Sequence, residues 1–509
     1  MGRLHHNETK NRKRSTKQAN ATSTVGRTLI KKSFGNKRPT VADPFAQKLS
    51  NNESIEAPGI GPVLQSVTEQ TDLSDLLDVA MLSQRNFEAE RERSTTLIST
   101  AFAPPPPRHM EFEALRAGHE QLTIPRRPSW NKDMTSEQLQ HAEQAAFLEW
   151  RRGLAVLEEQ HGLILTPFER NLDFWRQLWR VVEQSDVVLF IVDARNPFLF
   201  RCGDLERCIR EYNGQVIFLA NKADLVPPEY RRVWKNYFNQ QLNTDILFFS
   251  ATHALKHIEV PPVEDESGFP RVAVEEPQFY DDVGRSDIED SIKVLTVSGL
   301  FSHLKSTAQN MSWKSEQFNG RQIFKVGMVG YPNVGKSSCI NALAGRKCVS
   351  VAATPGKTKH FQTVPLAPRF HLVDCPGLVF PAALFSKSEL AISGILHADT
   401  LRDTITPMMV VNELISFNQI NSVYHTEFTA KPKDPYHLLN AISEKKGIYA
   451  AGSGNFDVSR AGRIVLKDIF NGKIRYCCRP YPCDTYLPDI DTCPSGLVDL
   501  FESKEEEYC

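Results

Sequence analysis

The feature that most constrains this chain is the run Gly330-Tyr331-Pro332-Asn333-Val334-Gly335-Lys336-Ser337, a GxxxxGK[ST] pattern that follows an apolar stretch at 324–329 and precedes helix formers at 338–343. Glycines at its two fixed positions permit a tight turn that aims successive backbone N–H groups inward, so the loop and the helix N-terminus cradle phosphate oxygens. Lys336 reaches the outer phosphates and Ser337 ligates Mg2+ through its hydroxyl, with Ser338 opening the helix. Strand, loop and helix in that order imply a nucleoside triphosphate site in an α/β domain.

The identity of the base is written elsewhere. Asn221-Lys222-Ala223-Asp224 directly follows the apolar run VIFLA. A carboxylate at Asp224 accepts two hydrogen bonds, from the ring N–H and exocyclic amine of guanine, which adenine does not offer in that arrangement. Asn221 either binds the base or braces the phosphate loop, and the stem of Lys222 lies along the ring plane. Ser250-Ala251-Thr252 ends the next apolar run and matches the weaker motif that offers a backbone N–H to the guanine carbonyl. Asp374-Cys375-Pro376-Gly377 closes the run HLV as DxxG: the carboxylate holds a Mg2+-bound water and the Gly377 N–H meets the γ-phosphate. In the intervening switch segment, Thr358 is the expected second protein ligand of Mg2+, with Thr354 as the alternative. Lys336, Thr358 and Gly377 form the expected catalytic group.

The order of these motifs is anomalous. Ras-like GTPases run phosphate loop, switch threonine, DxxG, NKxD, SAx, whereas here NKxD and SAT come first, so the same fold has been cut and rejoined. Apolar runs at 187–192, 216–219, 246–249, 324–329 and 370–373 alternate with helical stretches, which predicts a parallel sheet with crossover helices. Helices are also expected from Ser136 to Glu159 and from Thr166-Pro167 onward, the latter with an apolar stripe of Phe168, Leu172, Trp175, Trp179 and Val182. Beyond Pro381, candidate helices at 390–396, 405–417, 435–442 and 458–470 form a further unit. The expected domains are therefore a basic arm (1–62), a helical N-terminal region with linkers (63–165), a circularly permuted P-loop GTPase domain (166–384) and a mainly helical C-terminal domain with an acidic tail (385–509).

Leu378 follows DxxG, where Ras-like enzymes keep a glutamine that orients the attacking water, so unassisted hydrolysis should be slow. Asn333 matches the asparagine with which potassium-activated GTPases hold a K+ ion. His360 reads as a structural or RNA-facing histidine ahead of a water-positioning one.

The net charge of -1 conceals segregation, because eleven Lys and Arg residues between Arg3 and Arg38 face Glu8 alone. That arm suits RNA phosphates, a nuclear-import receptor or simple solubilisation. Residues 260–290, with Glu264, Asp265, Glu266, Asp281 and Asp282, read as a solvated acidic insertion. Cys477, Cys478, Cys483 and Cys493 lack the spacing of a zinc finger and read as reduced thiols. Residues 1–17 carry no apolar segment of the secretory type and no run of about 20 apolar residues occurs, so a cytosolic or nuclear protein without a membrane span is expected.

On these residues the chain resembles the eukaryotic large-subunit GTPase family, the permuted GTPases of cytoplasmic large-ribosomal-subunit maturation. The resemblance covers LQSVTEQ from Leu64, IPRRPSWN from Ile124, FLEWRR from Phe147, the long block from Thr166 to VDARNPFLFRCGDLE at Val192, GYPNVGKSS, TPGKTKHFQT, DCPGLVFP, and NGKIRYC at Asn471. It implies GTP, GDP and Mg2+ as ligands, binding to the ribosomal RNA and proteins of the late pre-large subunit, and GTP-dependent release of a nuclear-export adaptor. A cytoplasmic monomer that shuttles through the nucleus is expected. Two alternatives stand beside this: a GTP-responsive RNA- or ribosome-binding module with negligible turnover, and a nucleolar permuted GTPase acting earlier.

Overall fold

A computed structural model describes residues 121–480 apart from 132, 162–163, 213, 258–260, 273–278, 280–288, 315–316, 319–320, 351–360, 451 and 453. The basic arm, the switch residues Thr354, Thr358 and His360, the acidic Asp281 and Asp282, and Cys483 and Cys493 lie outside the described residues.

The chain enters through α1 (Ser136–His161) and α2 (Leu172–Gln184) and then alternates: β1 (Val187–Asp193), α3 (Gly203–Glu211), β2 (Gln215–Asn221), α4 (Pro228–Gln241), β3 (Ile246–Phe249) and α5 (Ala251–His257). A small hairpin, β4 (Val263–Glu264) and β5 (Pro270–Arg271), precedes β6 (Val294–Leu295) and α6 (Val297–Gln309). A second hairpin, β7 (Gln317–Phe318) and β8 (Arg321–Gln322), leads into β9 (Phe324–Val329), α7 (Lys336–Ala344), β10 (Gln362–Ala367) and β11 (Phe370–Asp374). Five helices follow: α8 (Lys387–Ile392), α9 (Thr406–Leu414), α10 (Phe417–Tyr424), α11 (Pro435–Lys446) and α12 (Val458–Phe470).

Seven strands make one sheet in the order β10-β11-β9-β1-β2-β3-β6. All neighbours are parallel except β10, which runs antiparallel to β11 at the edge. Central β1, Val-Val-Leu-Phe-Ile-Val-Asp, is buried along its whole length, as expected for a strand covered by helices on both faces. Its neighbours are β9, which feeds the phosphate loop, and β2, which feeds Asn221. The permuted order is thus invisible to the sheet, where both motifs emerge at carboxyl ends flanking one strand.

Three expectations change. Thr166-Pro167 does not start a helix: Thr166 donates its N–H and hydroxyl to the Ala382 carbonyl at 2.8 and 3.1 Å, and Glu169 donates its N–H to the Val379 carbonyl at 2.9 Å. Helix α2 begins after Asn171, whose side chain accepts from the Asp173 N–H at 2.9 Å and so satisfies an otherwise orphaned donor. Phe168 consequently sits outside the stripe, in a small cluster with Leu122, Leu154 and Ala383.

The described part of the acidic insertion keeps Glu264 and Glu266 exposed but is anchored to the core by a turn. Asp265 closes a tight turn by accepting from Ser267 and Phe269 N–H groups, and Lys305 pairs with it at 2.6 Å. That turn drives Phe269 into the core beside Trp313, Phe324 and Phe370, with ring centroids about 6 Å apart. Burial of one aromatic contributes roughly 2–3 kcal/mol, enough to anchor a ten-residue excursion.

The C-terminal helices share the GTPase core. Buried side chains run without a break from Ile124 through the sheet to Leu438, Ile469 and Tyr476.

Candidate functional site

The phosphate loop is shaped by what its neighbours leave room for. A Cβ at Gly335 (φ 96°) would stand 2.3 Å from Asn221 Nδ2, and one at Gly377 would stand 2.8 Å from Pro332 Cα and 2.9 Å from Lys336 Nζ. Only glycine permits both approaches, so the DxxG turn lies directly against the loop. Tyr331 fills the space behind, edge-on to Phe200 and Phe380 at 5.6 and 5.2 Å. Val334 is fully buried, and Ser337 and Ser338 are half-buried on the first turn of α7.

Lys336 is buried and donates to the carbonyls of Gly330 and Tyr331 at 2.9 and 2.7 Å. Burial lowers its pKa to about 8, with the Asp374 charge opposing. Asp374 is fully buried at the end of β11, and neither carboxylate oxygen has a hydrogen-bond partner. Burial pushes its pKa up to about 6, the charge of Lys336 opposing only in part. Cys375 and Pro376 are buried behind it.

At the base end, Asn221 is the brace of the two roles left open by its sequence. Its Nδ2 donates to the Val334 carbonyl at 2.8 Å, and its Oδ1 accepts from the Ala251 N–H at 3.0 Å. One amide therefore joins NKxD, the phosphate loop and SAT. Ser250 donates its hydroxyl to Asp224 Oδ1 at 2.6 Å and accepts from the His253 N–H at 3.2 Å, which orients the carboxylate expected to read the base. Ala223 is buried, whereas Thr252 is exposed on α5. Lys222 adopts a left-handed conformation (φ 63°) and its Nζ pairs with Asp193 Oδ2 at 2.9 Å. Asn333, also left-handed at φ 61°, donates Nδ2 to the Gly394 carbonyl at 2.7 Å.

Asp193 and Arg195, which the sequence reading quoted only within a longer block and gave no role, support the site from below. They form a buried bidentate pair, Nε to Oδ1 at 2.9 Å and NH2 to Oδ2 at 2.7 Å, directly beneath Lys222. The Arg195 and Lys222 charges hold the Asp193 carboxyl well below the usual range despite burial. The available signal was an Asp and an Arg two positions apart at the end of an otherwise apolar strand.

Cys477 and Cys478 pack against this region as thiols: Cys477 Sγ lies 3.7 Å from the Leu225 carbonyl, and the Cys478 N–H donates to the Arg195 carbonyl at 2.8 Å. Among the described residues no group of three or more His, Cys, Asp or Glu is placed to hold a metal by itself.

A buried carboxylate with no hydrogen-bond partner and a lysine bonded to loop carbonyls, beside a loop that packs tightly only because it carries glycine, fit a Mg2+-bound triphosphate, which would supply countercharge and acceptors. Asp224, held open by Ser250 beside the Ala251 amide, fits guanine. Fold and site together define a circularly permuted P-loop GTPase, an enzyme that hydrolyses GTP. The profile of the 50S ribosome-binding GTPase family matches residues 325–431. Large subunit GTPase 1 of Schizosaccharomyces pombe is 40% identical over 447 residues, covering 82% of this chain and 69% of that protein. The Saccharomyces cerevisiae protein of the same name is 39% identical, with 82% and 68% covered, and the Homo sapiens homolog is 37% identical, with 82% and 76% covered. The chain belongs to the large subunit GTPase 1 family. Among solved structures, GDP-bound TM YlqF aligns with a TM-score of 0.36 and 19% identity over 60% of this chain and 99% of that one.

Proposed function

We propose that this GTPase acts late in maturation of the large ribosomal subunit, coupling GTP binding and hydrolysis to release of a nuclear-export adaptor from the pre-large subunit. It works as a monomer in the cytoplasm after passage through the nucleus, contacting ribosomal RNA and proteins. The names of its relatives and the description of the matching family support a large-subunit surface as partner. Among the described residues, no helix is long and apolar enough to cross a membrane.

The observation that carries the reading is mechanical. From Gly377 the chain passes through the buried residues 378–383 straight into α8, and Gly394 just beyond accepts the bond from Asn333 of the phosphate loop. A change felt at Gly377 or Asn333 thus reaches the C-terminal unit with no linker between.

Mg2+ with the triphosphate supplies neutralisation of the phosphate charge during transfer to water. Lys336 would hold the outer phosphates, Ser337 and Thr358 of the switch segment would ligate the ion, Asp374 would hold it through a bound water, and the Gly377 N–H would meet the γ-phosphate. The Nδ2 of Asn333 is spent on Gly394, which leaves its Oδ1 for K+. Equal turnover in potassium and in sodium would remove that cation role.

The test is co-sedimentation of the GTP-loaded chain with free large subunits, together with single-turnover hydrolysis in their presence and absence. Binding with acceleration supports the proposal; loss of co-sedimentation refutes it, and nucleolar accumulation of the tagged protein contradicts the cytoplasmic assignment. A second reading, a GTP-responsive binding module with negligible turnover, is favoured by one observation: Leu378 is fully buried and offers no side chain to orient water. Binding without acceleration would select it.

A further inference from the structure

Helix α12 closes on both ends of the nucleotide site at once. Its last residue, Phe470, presents its ring face to Lys222 Nζ at 4.8 Å from the centroid. The preceding carbonyl, of Ile469, accepts from Arg195 NH1 at 2.9 Å, and Arg195 is the bidentate partner of the same Asp193 that pairs with Lys222. On its other side Phe470 packs against Gly394, where a Cβ would stand 2.2 Å from the ring; the Gly394 carbonyl holds Asn333. Below the guanidinium, Tyr476 lies 4.9 Å from Arg195 Cζ.

Lys222 needs such support. It is a non-glycine residue in a left-handed conformation, and its flexible stem must lie along the base for NKxD to work. An ammonium caged by a carboxylate and an aromatic face has given up its rotamer freedom before the nucleotide arrives, and that preorganisation appears as affinity. We propose that Phe470 is a positioning residue for guanine recognition, acting through Lys222, so that docking of α12 sets guanine-nucleotide affinity and bound nucleotide in turn holds α12 in place. The reciprocity is required by linkage. The proposal rests on the assignment of residues 221–224 as the base-reading motif, but not on the identity of the macromolecular partner.

The experiment is a double-mutant cycle on GDP affinity, measured by calorimetry on the full chain: native, Phe470→Leu, Lys222→Met and the double variant. Phe470→Leu should weaken GDP roughly three- to thirtyfold in the native background and less than about twofold in Lys222→Met, while Phe470→Tyr should keep native affinity. Leu438→Val, in the core of the same C-terminal unit, should lower the melting temperature without changing GDP affinity. Equal weakening by Phe470→Leu in both backgrounds overturns the proposal, as does equal weakening by Leu438→Val. If Phe470→Leu does not fold, Phe470→Met serves the same comparison. Absence of GDP binding by the native chain removes the base site and this inference with it, whereas failure to bind large subunits leaves the cycle intact and refutes only the ribosomal proposal.

Discussion

Asn221 occupies the space that a side chain at Gly335 would need, its Nδ2 standing 2.3 Å from where that Cβ would lie. The pair explains how two motifs more than a hundred residues apart keep one geometry. Asn221→Ala should weaken GDP binding roughly ten- to a hundredfold, because the Val334 carbonyl and Ala251 N–H both lose a buried partner at about 1–3 kcal/mol in total. Calorimetry decides, and unchanged affinity would dismiss the brace.

Asp374 predicts a pH signature in the nucleotide-free protein. Its folded pKa of about 6 lies above the unfolded value, so the folded state binds the proton more tightly. Stability from this group is fully present below the unfolded pKa and is lost as pH rises through about 6, a difference of roughly 3 kcal/mol. Melting temperatures from pH 4 to 7 should fall with rising pH in the native chain relative to Asp374→Asn. Parallel profiles would contradict the buried, unpartnered carboxylate.

Asp224→Asn exchanges an acceptor for a donor at the base edge while Ser250 remains beside it. Preference should move from guanosine to xanthosine nucleotides by roughly a hundredfold or more. Competition binding with GDP and XDP measures this, and retained guanine preference would refute the contact.

Leu378 stands where a water-orienting glutamine is found in other GTPases, but it is fully buried. Leu378→Gln should therefore give no gain in single-turnover hydrolysis and should cost about 1–3 kcal/mol of stability through an unpaired buried amide. A faster, equally stable variant would show that the position faces the nucleotide.

The central sheet was legible because β1, β2, β3, β9 and β11 are short, apolar and largely buried runs alternating with helical stretches. Strand β10 was missed because Gln362, Thr363 and Pro365 are exposed and a proline interrupts the pattern, which only an edge strand tolerates. Two-residue β6 is too short to announce itself. Within the site, motif spacing picked out the residues that the fold gathers at the carboxyl ends of β9, β2 and β11, since their chemistry is local. The contribution of Phe470 was not visible, because nothing near residue 470 refers to residue 222; only folding brings an aromatic ring under that ammonium. Phe269 shows the converse error, one apolar residue in an acidic stretch outweighing its neighbours once a tight turn aims it inward.

The bonds from Thr166 and Glu169 to the Ala382 and Val379 carbonyls have a readable consequence. Any rearrangement of the stretch just past Gly377 must first unfasten the strap that introduces α2, so those two amides trade their protons for deuterium only when that stretch lets go. Deuterium exchange at Thr166, 216 residues upstream of the carbonyl it grips, would therefore report any loosening of that stretch during turnover.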